Sequence, residues 1–302
     1  MIMPKDGTEE SLHSSIPLIL SGTTYSIYGF HANGARDSYG FGEVVAKLQP
    51  YMQAVRDLDI DFFSQSGVIV PIDEKACYYK EVQNDYLDLT ATEFNSAAYL
   101  SGLGITYTYS KQKKFENKTV FMTGSNVDYF TDDEIYDLFN NNFVICDAAF
   151  AKKLETRGLL SLIHAKSVKP LSYDDGEYSY EECFDETTVI CGVRKMRASA
   201  RARCLPPCMN IEYESDVQVL TTLNNHYMTE VAAGMVRGDN FLVLPFSADK
   251  NDYAMYDDLR RHFIINAVAD GKGYVVFDTV GVSPYVYETK DSYVLMLTNG
   301  NV

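Results

Sequence analysis

The sequence predicts an α/β fold: a parallel sheet with helices on both faces, an antiparallel β excursion and a β tail. Three observations lead there. From residue 67 to 165, short β-branched or aromatic runs alternate with segments of helical period, and strands joined through helices pair in parallel and need cover on both faces. From about 166 to 235 the alternation gives way to Tyr-rich acidic turns (Tyr173-Asp-Asp-Gly176, Tyr178, Tyr180) and strand-like runs. Near the end, Tyr274 to Phe277 and Tyr293 to Leu297 read as strands.

Each element has its own warrant. Ile16 to Gly22 reads as a buried helix or strand, and Tyr25 to Phe30 is a short apolar stretch that ends at the loop signature His31-Ala-Asn-Gly34. Glu43 to Leu58 repeats Val44, Val45, Leu48, Met52, Val55 and Leu58 at helical spacing, with a kink or break expected at Pro50. Gly67 to Pro71 is a buried strand by type. Thr90-x-x-Glu93 is a capping box for a helix that stops at Gly102 or Gly104. Ile105 to Tyr109 and Lys118 to Thr123 read as strands. Thr131-Asp-Asp-Glu134 opens a second capped helix, whose acidic first turn suits the positive end of the helix dipole. Phe143 to Cys146 is a compact strand; Asp147 starts a helix from Ala148 to Arg157, ended by Gly158. Strands are expected at Thr188 to Met196, Val217 to Leu223 and Asn240 to Pro245, and a helix at Asp252 to Ala269 with Leu259, Phe263, Ile264 and Val268 inward.

Composition excludes several functions. The 302 residues carry a net charge of −16, whereas nucleic-acid binding needs clustered cations to displace counterions. The one basic cluster runs from Arg194 to Arg203; Arg197, Arg201 and Arg203 could share a strand face, read here as solvated rather than as a phosphate site. Acidity also argues against an anionic membrane surface, and no apolar run reaches the length that spans a bilayer. Met1 to Ser15 is polar, without the pattern of an export signal, and six irregularly spaced cysteines read as reduced thiols of a cytoplasmic protein. The absence of Trp argues mildly against a full saccharide cleft.

No chemical motif is complete. Gly40-Phe-Gly42 lacks the third glycine of a dinucleotide loop, and there is no P-loop, so no cofactor is expected. Cys146 stands where a nucleophile elbow could form, but Ile145 and Asp147 flank it and no histidine is followed two residues on by an acid. Cys204-Leu-Pro-Pro-Cys208 offers two ligands where structural zinc needs four, so no metal is expected. Asp132-Asp133, Asp174-Asp175 and Asp257-Asp258 read as turns and helix starts rather than glycosidase carboxylate pairs.

A run of short motifs is more specific. Phe121-Met-Thr-Gly-Ser125 precedes Phe130-Thr-Asp-Asp-Glu-Ile135, Phe143-Val-Ile-Cys-Asp-Ala-Ala149 and Leu154-Glu-Thr-Arg-Gly158. This resembles the amidotransferase-like middle domain, the trimerisation domain, of barrel glycoside hydrolases of the family forty-two β-galactosidase type. Asp147 fits the family's Asp, while Ala148 stands for its usual Gly and Cys146 for its Leu. Gly238 to Pro245, Leu259-Arg-Arg-His262 and Tyr293 to Asn299 resemble a later strand, a helix and the opening of the β-sandwich that follows; residues 16 to 36 resemble the last barrel strand.

The resemblance implies a flavodoxin/amidotransferase-like domain over 41–270, with a β insertion at about 166–235. Residues 1–40 become a remnant of a preceding barrel or an N-terminal extension, and 271–302 the start of a sandwich. It further implies a non-catalytic module of carbohydrate metabolism, for oligomerisation or active-site shaping, whose partner is a second copy or a catalytic barrel. The family's acid and nucleophile lie on earlier barrel strands and match no residue here. His31 and Asn33, near the end of the last barrel strand, are the residues placed to touch a sugar. Two alternatives stay open: a sugar or small-molecule binding module, and a cysteine amidohydrolase centred on Cys146.

Overall fold

The structure, a computed structural model, describes residues 41–58, 60–74, 93–172, 177–199, 208–214, 216–248, 257–270 and 282–299. Helix α1 (Phe41–Asp57) and strand β1 (Gln65–Ser66) come first. Then follow β2 (Val68–Pro71), α2 (Glu93–Gly102), β3 (Tyr107–Ser110), β4 (Thr119–Met122), α3 (Asp132–Asn141), β5 (Phe143–Cys146) and α4 (Ala148–Arg157). Short strands make the excursion: β6 (Ala165–Leu171), β7 (Tyr180–Cys183), β8 (Val189–Ile190), β9 (Val193–Arg194), β10 (Arg197–Ser199), β11 (Cys208–Tyr213), β12 (Gln218–Val219), β13 (Thr221–Asn224), β14 (Glu230–Ala233) and β15 (Val236–Arg237). The described chain ends with β16 (Phe241–Val243), α5 (Asp258–Asp270), β17 (Val282–Glu288) and β18 (Tyr293–Asn299). Contacts divide the chain into two compact units, Gly67–Val280 and Met1–Ser66 with Gly281–Val302.

The larger unit is built on a seven-stranded sheet in the order β12-β15-β16-β5-β4-β2-β3. The strands β16, β5, β4, β2 and β3 run parallel, and β15 and β12 extend the β16 edge antiparallel. In chain order the parallel strands lie 2-1-3-4-5, the doubly wound arrangement of flavodoxin-like folds. Period-two alternation supplies both faces. Val68, Val70, Phe121, Ile145 and Leu242 join the core that includes Leu100 of α2 and Ile264 of α5. Ile69, Val120, Met122, Val144, Cys146, Phe241 and Val243 join the core that includes Leu138 of α3 and Leu154 of α4. One crossover departs from the pattern: β3 reaches β4 through 111–118 without a helix, and buried Phe115 joins the second core in its place.

Local signals worked where they depend on near neighbours. Thr131 Oγ1 accepts from Glu134 N–H while the Glu134 carboxylate accepts from Thr131 N–H, so the capping box forms. Gly158, at φ +72°, ends α4 in the left-handed conformation that glycine adopts without strain. Thr90, the other capping box, lies outside the described residues, as do 16–36 and Tyr274 to Phe277.

One expectation is corrected. Thr188 to Met196 is a hairpin rather than a strand: β8 and β9 pair antiparallel about Cys191 and Gly192, both at positive φ, which is the backbone of a tight two-residue turn. Of the kink or break expected at Pro50, the break does not occur, since helix α1 runs on through it; Pro50 and Ala46 are exposed, so water can take the carbonyl that the proline leaves without a donor. Strand β17 is masked in the sequence by Pro284, a residue that argues against a central strand. It pairs throughout with β18, but β1 covers only Tyr287 and Val286 on its other side, leaving Pro284 outside that pairing. Within this smaller unit, Leu48 and Val55 of α1 pack with Tyr285, Tyr287 and Met296.

Candidate functional site

In a doubly wound sheet the ligand crevice lies outside the carboxyl ends of the strands, where the winding reverses. Here that point falls between β2 and β4. Beyond β2, Asp73 pairs with Lys113 at 3.1 Å and Glu74 with Lys111. Both lysines come from the β3–β4 crossover, and the Lys111 hydrogen bond and charge hold the Glu74 carboxyl below its usual range. The Lys113 ammonium also sits over the Tyr129 and Phe130 rings, 5.2 and 4.8 Å from their centroids. Beyond β4, Asn126 Oδ1 accepts from Thr123 N–H at 2.8 Å, and its Nδ2 donates to the Phe121 carbonyl at 3.3 Å.

Asp147 decides what this edge can do. It is fully buried at the end of β5. Its Oδ1 accepts from Gly124 N–H (3.1 Å) and from Phe150 N–H (2.7 Å), the latter capping α4. Its Oδ2 accepts from Ala248 N–H (2.8 Å) and the Ser247 hydroxyl (3.4 Å). One carboxylate therefore ties the ends of β4, β5 and β16 together. A helix N-terminus beside such a sheet is the usual seat of a phosphate; at α4 the seat is taken by the protein's own anion. The approach is close: a Cβ on Gly124 would lie 2.5 Å from that of Ala149, which requires glycine.

Cys146 is closed off from solvent in this setting. It is fully buried, and burial, then the neighbouring Asp147 charge, push its thiol well above the ordinary range. The described histidines are engaged elsewhere. His164 Nδ1 lies 2.6 Å from Asp216, His226 packs on Tyr227, and His262 Nε2 faces Asn266 at 3.2 Å.

A second polar centre lies inside the first core. Arg260 Nε donates to Glu181 Oε2 and its Nη1 to Asp257 Oδ2, each at 2.7 Å, with Arg260 and Glu181 both essentially unexposed. Thr221 donates to Glu181 Oε1 at 2.5 Å and accepts from Met235 N–H at 2.6 Å. The guanidinium lies over Phe246, 5.0 Å from its centroid. Burial disfavours the Arg260 charge, but Asp257 and Glu181 more than offset it and raise its pKa. The cost falls on Asp257, which burial pushes up to about 6 against the pull of Arg260. Cys208, at the same place, is pushed up to about 12 by burial. The network ties β7 and β13 of the excursion to α5.

The other residues that the sequence singles out fall in three groups. His31, Asn33, Cys204, Arg201, Arg203 and Asp174-Asp175 lie outside the described residues. Arg197 pairs with Glu182 and covers the Tyr180 ring at 4.8 Å. Asp132 and Asp133 open α3, and Asp257 accepts from Arg260 N–H at 2.9 Å to open α5. Among the described residues no group of three or more His, Cys, Asp or Glu is placed to hold a metal, and no helix is long and apolar enough to cross a membrane. Sequence reasoning missed the Glu181–Arg260 pair, 79 residues apart. It also missed the asparagines Asn117, Asn140 to Asn142 and Asn240, which line one groove; the triple Asn run after α3 was the available signal.

No family model matches the chain, and no curated protein matches it in sequence. Solved structures do match. Alpha-L-fucosidase isoenzyme 2 from Paenibacillus thiaminolyticus is similar with a TM-score of 0.61 at 12% identity, over 97% of this chain and 46% of that one. The beta-galactosidase from Bacillus circulans sp. alkalophilus is similar with a TM-score of 0.50 at 13% identity, over 87% of this chain and 39% of that one. A glutamine amidotransferase aligns with a TM-score of 0.41 at 13% identity, over 67% of this chain and all of that one, a likeness too loose to argue from. The chain thus spans less than half the length of either glycoside hydrolase. What it shares with them is the fold, and that fold is the α/β one to which the motifs from Phe121 to Gly158 point.

Proposed function

We propose that the chain is the α/β module of a carbohydrate-processing glycoside hydrolase, assembling the enzyme or shaping its active site while a catalytic barrel supplies the acid and the nucleophile. The observation that carries this reading is Asp147. At the edge where a doubly wound fold places its chemistry, the backbone N–H groups of Gly124, Phe150 and Ala248 are spent on an internal carboxylate, and the adjoining thiol is sealed in the core. The likeness of fold to a fucosidase and a galactosidase supplies the context. Fold alone does not fix function, so the reading stands on the site.

The test is turnover. Purified chain incubated with nitrophenyl β-D-galactoside and nitrophenyl α-L-fucoside should release no nitrophenol above the blank. Turnover that persists through purification and is lost in Asp73→Asn or Glu74→Gln would overturn the proposal. Sedimentation of the same preparation separates the two roles: self-association supports assembly, and a monomer at all concentrations leaves only active-site shaping.

A further inference from the structure

We propose that the amino edge of the parallel sheet holds a neutral, polyhydroxylated ligand, a saccharide by chemical class, in a groove lined by Asn117, Lys118, Asn140, Asn141, Asp239 and Asn240. The register of the sheet assembles it. Thr119 pairs with Phe143, and Phe241 with Val144, so the residues just before β4, β5 and β16 meet at one place, and the C-terminus of α3 delivers Asn140 and Asn141 beside them. The groove has a volume of about 270 Å³. A second hollow of about 250 Å³ adjoins it at Asp239 and is lined also by Asp216, Gln218 and Arg237.

Its frame is fixed by hydrogen bonds. Asn142 Nδ2 donates to the carbonyls of Phe115 (2.8 Å) and Leu138 (3.1 Å), and its Oδ1 accepts from Lys118 N–H (3.2 Å). Asn117 N–H donates to the Asn141 carbonyl (2.8 Å), and Asn240 Nδ2 to the Phe139 carbonyl (2.6 Å). A preorganised wall loses little freedom when a ligand arrives. Within that frame, other groups have no protein partner among the described residues: the side-chain amides of Asn117 and Asn140, Oδ1 of Asn141 and of Asn240, the Asp239 carboxylate and the Lys118 ammonium.

This donor set selects the ligand. Each free amide offers a donor and an acceptor in one plane, the complement of neighbouring hydroxyls that both give and accept. One carboxylate and one ammonium balance, so net charge gains a ligand nothing. The negative end of the α3 dipole opposes an anion at the same place. Half-buried Phe143 adds an apolar residue to the lining, with the Arg237 guanidinium 5.6 Å from its ring centroid. The volume lies just under the roughly 300 Å³ at which drug-sized pockets begin, which suits one or two sugar rings. None of this depends on the enzyme context proposed above.

Isothermal titration of the purified chain tests it, with D-galactose, L-fucose, D-glucose and lactose as probes and sodium phosphate as the charged contrast. Asn140→Ala and Asp239→Ala change exposed side chains that hold no part of the frame, and unchanged melting temperatures would show that both variants fold. Saturable binding of at least one sugar, weakened about tenfold or more by each substitution and untouched by phosphate, is the expected result. No saturable sugar binding, displacement by phosphate, or binding that survives both substitutions would overturn the proposal. Glycoside turnover is a separate readout, so the two proposals can fail independently.

Discussion

The two ends of the parallel sheet treat their polar groups in opposite ways. At the carboxyl end, Asp147 gathers Gly124, Phe150, Ala248 and Ser247 around one buried carboxylate. At the amino end, asparagines use part of their capacity to fix the backbone and hold the rest open toward a groove. At the carboxyl edge Asp147 makes a joint of the ends of β4, β5 and β16; at the amino edge the polar groups face a groove.

The comparison breaks first at Asp147. Replacing it with Ala strands three buried N–H groups at about 1–3 kcal/mol each, so a loss of about 4 kcal/mol or more is expected in urea unfolding. A loss below about 1 kcal/mol, the scale of one typical hydrogen bond, would mean that the joint is not one. Glu181→Ala leaves the Arg260 charge in the core with only Asp257 for counterion, and a cost of about 3–5 kcal/mol is expected. The triple change Glu181→Leu, Arg260→Met and Asp257→Asn should cost clearly less than the single change, because it removes all three charges of the network together.

The Asp257 carboxyl sharpens the contrast through pH. Its folded-state value of about 6 lies above the roughly 3.9 of an unfolded Asp, so the folded state holds the proton more tightly. The stability this contributes is full below about pH 4 and is lost as pH rises through 6. Wild type should therefore lose ground to Asp257→Asn between pH 4 and 7, by about 1 kcal/mol for each unit of the difference. A gap between the two that is constant over that range would contradict the burial of this group. Smaller still, Thr131→Ala removes the α3 cap and should cost about 1 kcal/mol, with no effect on the groove.

How much of this was legible follows the range of each interaction. Asp147 was readable as a helix start because Phe150 N–H is three residues away; its reach to Gly124 and Ala248 was not, since nothing local marks a partner 101 residues distant. The capping box at Thr131 was readable for the same reason. Arg260 was visible as part of a Leu-Arg-Arg-His run and stands one turn before Ile264 on the inward face of the helix; what nothing local marks is the pair of carboxylates that meet it there. Asp257 from the start of the same helix and Glu181, delivered by an antiparallel strand of the excursion, make its burial tolerable. The Asn140 to Asn142 run was in plain view; what made it a groove was the alignment of β4, β5 and β16, a tertiary fact. Cys191-Gly192 was a further local signal overlooked, since a Gly inside a strand-like run is itself a turn signal.

Amide chemical-shift mapping during a sugar titration addresses both ends of the sheet in one experiment. The division of labour described here predicts saturable shifts at Asn117, Asn140 to Phe143 and Asp239 to Asn240, with Gly124, Asp147, Phe150 and Ala248 unmoved. Shifts centred on Gly124, Asp147 and Ala248 instead, or none at either end, would contradict it.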